Sequence, residues 1–295
     1  MKNVLFSFDR SYSMSYNNSF ICCVGSSVNL YDVKTGEFKQ KLNNVKHPSF
    51  AKFTEDNRLI VKTMKGSYAI YDLVKTSLLK TIPAASNVKG STTDFFVTED
   101  GRYIIDSAHV FPESKLAIVE IETGKYSFYE LDRARHCCLF HDKKKNCFYI
   151  VASNVKFIKG KETSITEFYD LSFQSQKPVV KKLPKDLFTK AIVADYNSGK
   201  FAVQECNDEI CIFDINTGEC DKLIYENTGI LYDLKWSKNG KFLALAESKS
   251  MRLYDMETKS CIREYDVDYG CFVDFFDNDK KLLIGTWENG YCVEI

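Results

Sequence analysis

At 295 residues the chain is long enough for two ordinary domains or for one large all-β domain. Forty basic and forty acidic side chains cancel, which removes the uniform positive field that nonspecific nucleic-acid binding needs, and a hydrophobic content of 44% excludes a disordered chain. Eleven cysteines, an odd number spread over strand-like segments, fit reduced core side chains better than the paired framework of a small secreted domain.

In chain order, the first ten residues lack the apolar stretch and small-residue cleavage site of a secretory signal. Nowhere do about 18 apolar residues run together, so a cytoplasmic protein with no membrane insertion is expected. Val4-Leu5-Phe6-Ser7-Phe8 is a short β-prone run ahead of a repeat. The repeat is an aromatic-acidic dipeptide: Tyr31-Asp32, Tyr71-Asp72, Tyr169-Asp170, Phe213-Asp214 and Tyr254-Asp255, with Val119-Glu120 filling the one gap and Glu294 in register at the end. Its steps of about 40 to 50 residues match a propeller blade. Each dipeptide closes an alternating strand, often before a turn such as Thr35-Gly36 or Thr217-Gly218. Upstream hairpin turns stand at 54–57, 98–101, 197–199, 238–240 and 277–279.

The pattern predicts an all-β, seven-bladed β-propeller in one domain, with blades at residues 9–42, 43–82, 83–131, 132–183, 184–224, 225–265 and 266–295. The last unit has three strands, and residues 1–8 are expected to supply its fourth and so close the ring. Two neighbouring units carry a longer connection between second and third strands: residues 107–114, with Phe111, and residues 154–164, with Lys156, Phe157, Lys159 and Lys161. Around the second of these, residues 133–190 hold 13 basic against 5 acidic side chains, whereas residues 191–295 hold 11 against 20. Such a basic sector either steers an acidic partner or serves solubility alone.

Residues 234–255, from Leu-Lys-Trp-Ser-Lys-Asn-Gly to Leu-Tyr-Asp, resemble the WD-repeat family, whose unit runs hydrophobic-x-Phe-Ser-Pro-Asp-Gly, an apolar strand, then Trp-Asp. The resemblance extends over the whole chain but lacks the Trp before the acid and the His of the family's Gly-His dipeptide. Blades held mainly by apolar packing are therefore expected. The resemblance implies a partner-binding top face around a central channel. Aligned to it, Trp287, Met64 and Glu247 fall in turns after second strands, and His47, Arg135, Tyr232 and Tyr269 near the starts of first strands. An exposed indole at Trp287 would suit an interface anchor, or would pack on a neighbouring blade. Trp236 replaces the pattern's Phe and belongs in the core.

The run His136-Cys137-Cys138-Leu139-Phe140-His141 holds zinc-ligand types, but strand alternation sends them to opposite faces. With four histidines and none of the Gly-x-Ser-x-Gly, phosphate-loop or His-Glu-x-x-His motifs, no catalytic residue, metal or cofactor is expected. The leading expectation is a monomeric, non-enzymatic scaffold that binds a protein or peptide on its top face. Two others stay open: a propeller-type lyase or hydrolase using the channel, for which Asp195 is the one odd polar residue, and acidic RNA or lipid bound through the blade-four lysines.

Overall fold

Short runs rich in Val, Ile, Phe and Tyr, alternating with polar residues between turn formers, cannot make a packed helix and can make half-buried strands. The computed structural model describes residues 3–88, 93–110, 113–131, 136–142, 144–145, 147–174, 177–187, 193–204, 209–223 and 229–295, and among them are 28 strands and no helix. They form seven four-stranded antiparallel sheets, the blades of a seven-bladed β-propeller.

The chain begins with β1 (Val4–Asp9). Blade 1 follows with β2 (Ser13–Tyr16), β3 (Phe20–Val24), β4 (Val28–Asp32) and β5 (Phe38–Leu42); blade 2 has β6 (Pro48–Phe53), β7 (Arg58–Thr63), β8 (Tyr68–Asp72) and β9 (Ser77–Ile82). Blade 3 has β10 (Phe95–Val97), β11 (Tyr103–Val110), β12 (Glu113–Glu120) and β13 (Tyr126–Glu130). Blade 4 has β14 (His136–Asp142), β15 (Cys147–Ile158), β16 (Lys161–Gln174) and β17 (Lys177–Leu187), and so runs past the expected division at residue 183. Blade 5 has β18 (Ala194–Asn197), β19 (Lys200–Gln204), β20 (Ile210–Asp214) and β21 (Cys220–Leu223). Blade 6 has β22 (Leu231–Trp236), β23 (Phe242–Glu247), β24 (Ser250–Asp255) and β25 (Ser260–Asp266); blade 7 has β26 (Gly270–Phe276), β27 (Lys281–Thr286) and β28 (Asn289–Glu294). Six blades are meanders in chain order, and the seventh reads β1-β28-β27-β26. Phe6 stands opposite Cys292 and Asp9 opposite Asn289, so the N-terminal strand completes the last blade as expected.

By contacts the chain divides into two compact units, residues 1–83 with 224–295, and residues 84–223. The first holds blades 6, 7, 1 and 2. Its cores are apolar wedges between neighbouring blades: Met251, Leu253, Val273 and Ile284 between 6 and 7, Phe8, Ile21, Tyr31 and Leu283 between 7 and 1, and Val24, Leu30, Leu59 and Tyr71 between 1 and 2. The second unit packs blades 3 and 4 through Ile105, Leu116, Phe148 and Ile150, and blades 4 and 5 through Phe140, Phe168, Phe201 and Phe213. Trp236 is buried, as its place in the repeat predicts.

The recurring dipeptide has a physical role for each half. Tyr31, Tyr71, Tyr169, Phe213 and Tyr254 are all buried on third strands. The acid organises the turn that follows: Asp32 Oδ1 accepts the amides of Lys34 and Thr35, Asp72 those of Val74 and Lys75, Asp214 those of Asn216 and Thr217, and Asp255 those of Glu257 and Thr258. These bonds to the charged form hold the carboxyls of Asp32 and Asp214 below the usual carboxylate range. Asp170 departs from the pattern, because β16 continues through it to Gln174.

Three sequence expectations are corrected. The connections at 107–114 and 154–164 continue the ladder as hairpin arms, with Lys156 opposite Thr163 and Phe157 opposite Glu162. Lys159 and Gly160, at φ 51° and 76°, close the arm with the left-handed pair a two-residue hairpin turn requires. Nor are all cysteines free, since Cys211 and Cys220 are joined across β20 and β21 with Cα atoms 6.1 Å apart. Burial pushes the thiols of Cys23 and Cys271 up to about 12 and that of Cys292 to about 11, which makes all three poor nucleophiles, Cys23 and Cys292 in the core and Cys271 half-buried.

Between β1 and β2 the main chain crosses from blade 7 to blade 1 over a glycine floor. A Cβ on Gly285 would lie 2.1 Å from the Ser11 carbonyl oxygen, and one on Gly290 would lie 2.8 Å from Ser11 Oγ. Gly285→Ala must therefore push the crossing strand away or distort β27. A loss of about 1–3 kcal/mol is expected, read as a lower denaturation midpoint, and an unchanged midpoint would show that the crossing yields freely.

Candidate functional site

In the first unit, every first strand is entered beside the turn that joins the second and third strands of a blade. One backbone bond recurs there: Met64 N donates to His47 O, Ser248 N to Ile230 O, and Trp287 N to Tyr269 O, at 2.9, 2.9 and 3.3 Å. Tyr269 N also donates to Ser248 O at 2.8 Å, tying blade 7 to blade 6. Across the next seam the Tyr12 ring lies 6.1 Å from that of Trp287, and its hydroxyl is 2.6 Å from the carbonyl oxygens of both Gly25 and Pro48. Ile230, Ser248, Tyr269, Trp287, Tyr12, Pro48, His47 and Met64 thus form one unbroken rim over blades 6, 7, 1 and 2.

Backbone geometry turns large side chains outward along this rim. His47 and Tyr269 each precede a first strand in the left-handed region, at φ 53° and 55°. Aromatic side chains seldom occupy that region without a compensating demand. The ladder also slips between Leu231 and Asp233, leaving Tyr232 as the extra residue of a bulge, a device that re-aims a side chain. Five of the eleven large hydrophobic side chains exposed among the described residues sit here: Met64, Ile230, Tyr232, Tyr269 and Trp287, each 40% to 65% exposed. Burial pushes the Tyr12 hydroxyl up, and the charge of Arg10 pulls it the other way, which places the guanidinium within the hydroxyl's field.

Of the residues expected at a partner-binding face, the structure therefore brings together Trp287, Met64, His47, Tyr232 and Tyr269. Glu247 is a correction. It ends β23 with its side chain fully buried, its Oε2 lies 3.1 Å from Arg252 Nη2, and Ser250 Oγ donates to it at 3.3 Å. The repeat placed it in the turn after the second strand, whereas it is the last residue of that strand, and a cation two strand positions into β24 draws it inward. Burial disfavours the Arg252 charge, yet the Tyr254 hydroxyl and the carboxylates of Glu247 and Glu264 outweigh that and raise its pKa. Arg135 and Phe111 lie outside the described residues. Lys156, Phe157 and Lys161 are placed only by strand register, on the β15–β16 arm of the second unit, where Lys159 is exposed in the turn.

Tyr12 and Ile230 were not singled out from sequence. Both hold the position before a first strand that His47 and Tyr269 mark, so the repeat contained the signal. The polar strand Ser13-Met-Ser-Tyr16 hid it in blade 1. His141 stacks on Phe148 at 4.4 Å, and among the described residues no group of three or more His, Cys, Asp or Glu is arranged to hold a metal ion. Asp195 is half-buried on β18. Among the described residues no helix is long and apolar enough to cross a membrane.

Two variants separate architecture from surface. Glu247→Ala leaves Arg252 buried without its inner partner and should cost about 3 kcal/mol or more of stability, measured by denaturant unfolding; a loss under about 0.5 kcal/mol would return Glu247 to the surface. Tyr269→Gly removes an exposed ring from a left-handed position and should preserve or raise stability by about 1 kcal/mol. A lower midpoint would make Tyr269 a packing residue. No protein-family model matches the chain, and no curated protein matches it in sequence.

Proposed function

We propose that this chain is a protein-interaction module of the WD-repeat type, non-enzymatic and cytosolic, that engages a protein or peptide through the rim of blades 6, 7, 1 and 2. One observation carries the reading: five large apolar side chains are held outward together on a rim whose own backbone groups bond to one another. A soluble surface gains nothing by clustering Trp, Tyr, Met and Ile in water, whereas a partner pocket that buries them recovers their transfer free energy. Trp and Tyr are also the residue types that dominate binding hot spots. The strain at His47 and Tyr269 supports the same reading, because conformations disfavoured by the folded chain alone concentrate where side chains serve a ligand.

Trp287 is the anchor by this reading. It contacts Tyr12 on one side and is about half exposed. Truncation to Ala should weaken partner binding by about 2 kcal/mol, roughly thirtyfold. The folded state should lose only about 1 kcal/mol or less, since a single aromatic pair is given up. Affinity capture from cell extract with quantitative mass spectrometry, run in parallel with thermal denaturation, checks both. A Trp287→Ala protein that unfolds early but retains its partners would sink the assignment.

A further inference from the structure

The rim carries a charge pattern that narrows what it accepts. Arg10, Lys46, Lys65 and Lys249 are exposed, and none of the four makes an ion pair among the described residues. Lys65 follows Met64, Lys46 precedes His47, Lys249 follows Ser248, and Arg10 acts on the Tyr12 hydroxyl. Some lysines elsewhere on the surface are matched, such as Lys115 with Glu130 at 2.8 Å and Lys281 with Asp277 at 2.9 Å. Among the described residues, the exposed carboxylates on the rim are Asp266 and Asp268, before blade 7, and Glu288 beside Trp287. The Asp9 carboxylate, at the end of β1 before Arg10, already accepts from the Asn29 amide and the Tyr31 hydroxyl, both at 3.2 Å.

The aromatic centre is therefore flanked by the unpaired cations Arg10, Lys46 and Lys65 on the blade 1 and 2 side, and by the carboxylates, with Lys249 among them, on the blade 6 and 7 side. Building on the docking role of this rim, we propose that its occupant is an acidic peptide segment. An aromatic or aliphatic side chain sits on Trp287 beside Tyr12, and neighbouring Asp or Glu carboxylates meet Arg10, Lys46 and Lys65. Complementary charge of this kind sets orientation and encounter rate, while the apolar anchor supplies affinity. Single-stranded nucleic acid also uses rings and cations, but its phosphates would run past Glu288 and Asp268 next to the very rings on which bases would stack. The aliphatic Met64 and Ile230 offer no stacking face.

The test selects random linear peptides displayed on phage against the immobilised full chain, then measures the enriched peptides in solution. The expected peptides join clustered Asp or Glu to a Phe, Trp or Leu. Their affinity should fall as salt rises from about 0.1 M to about 1 M, which shortens the screening length from roughly 10 Å to 3 Å. The double variant Lys46→Glu, Lys65→Glu should bind them at least tenfold more weakly with a flatter salt dependence, at unchanged melting temperature. Enriched peptides that are neutral or basic and need Trp287 but neither lysine would overturn the acidic assignment and leave the docking rim standing. Peptides indifferent to Trp287→Ala, or no enrichment at all, would overturn the rim itself. Tighter binding of oligodeoxythymidine than of any selected peptide would replace the peptide by nucleic acid.

Discussion

The passage of Ser11 over Gly285 and Gly290 is the constraint on which the first unit depends. β1 must lie in blade 7 while β2 begins blade 1, so the main chain between them has to cross a seam that elsewhere is filled by side chains. Only glycines leave the room, and Ser11 is accordingly fully buried. Once that crossing is made, Phe8 packs on Tyr31 with ring centres 4.8 Å apart, and the Tyr16 hydroxyl donates to Phe275 O at 2.9 Å. Two blades remote in sequence thereby become one packed seam. It is also the seam that carries Tyr12 to Trp287, so closure and rim share a cause.

The rim works by a division of labour between backbone and side chain. Turn amides and entry carbonyls satisfy one another, as buried backbone groups must. Ser248 and Tyr12 add side-chain bonds to this frame, whereas the rings of Tyr269 and Trp287 stay largely outside it. Left-handed backbone at His47 and Tyr269 and a bulge at Tyr232 then set where those side chains go. A surface built this way can change its side chains without loss of the scaffold, which is how repeat folds separate recognition from stability.

Cohesion between blades is not wholly apolar. Lys238 N and Asn239 N donate to the two Asp279 oxygens at 2.9 Å, and Val273 N donates to Asp233 Oδ2 at 3.1 Å, across the seam of blades 6 and 7. In the second unit the Tyr196 hydroxyl donates to Asp142 Oδ2 at 2.6 Å, across the seam of blades 4 and 5. These charge-assisted bonds occur at different places in different blades. The absence of the Trp and His of the WD pattern thus leaves polar links local to each seam in place of a repeated network.

Period and pattern were enough to determine the blade count and the strand content, because a strand buried on both faces must be apolar and an acid recurs where it ends. The same logic placed Trp287, Met64, His47, Tyr232 and Tyr269, since equivalent positions of a repeat take equivalent places in a blade. It failed where a residue's partner lies outside the repeat. Glu247 looked exposed by position and is buried because Arg252 reaches it. The segment 154–164 looked like a loop by composition and is a ladder because its two arms pair with each other. Only tertiary structure could decide these, and with them the rim's continuity, because the contacts of Tyr12 with Trp287 and Pro48 join residues that no local spacing relates.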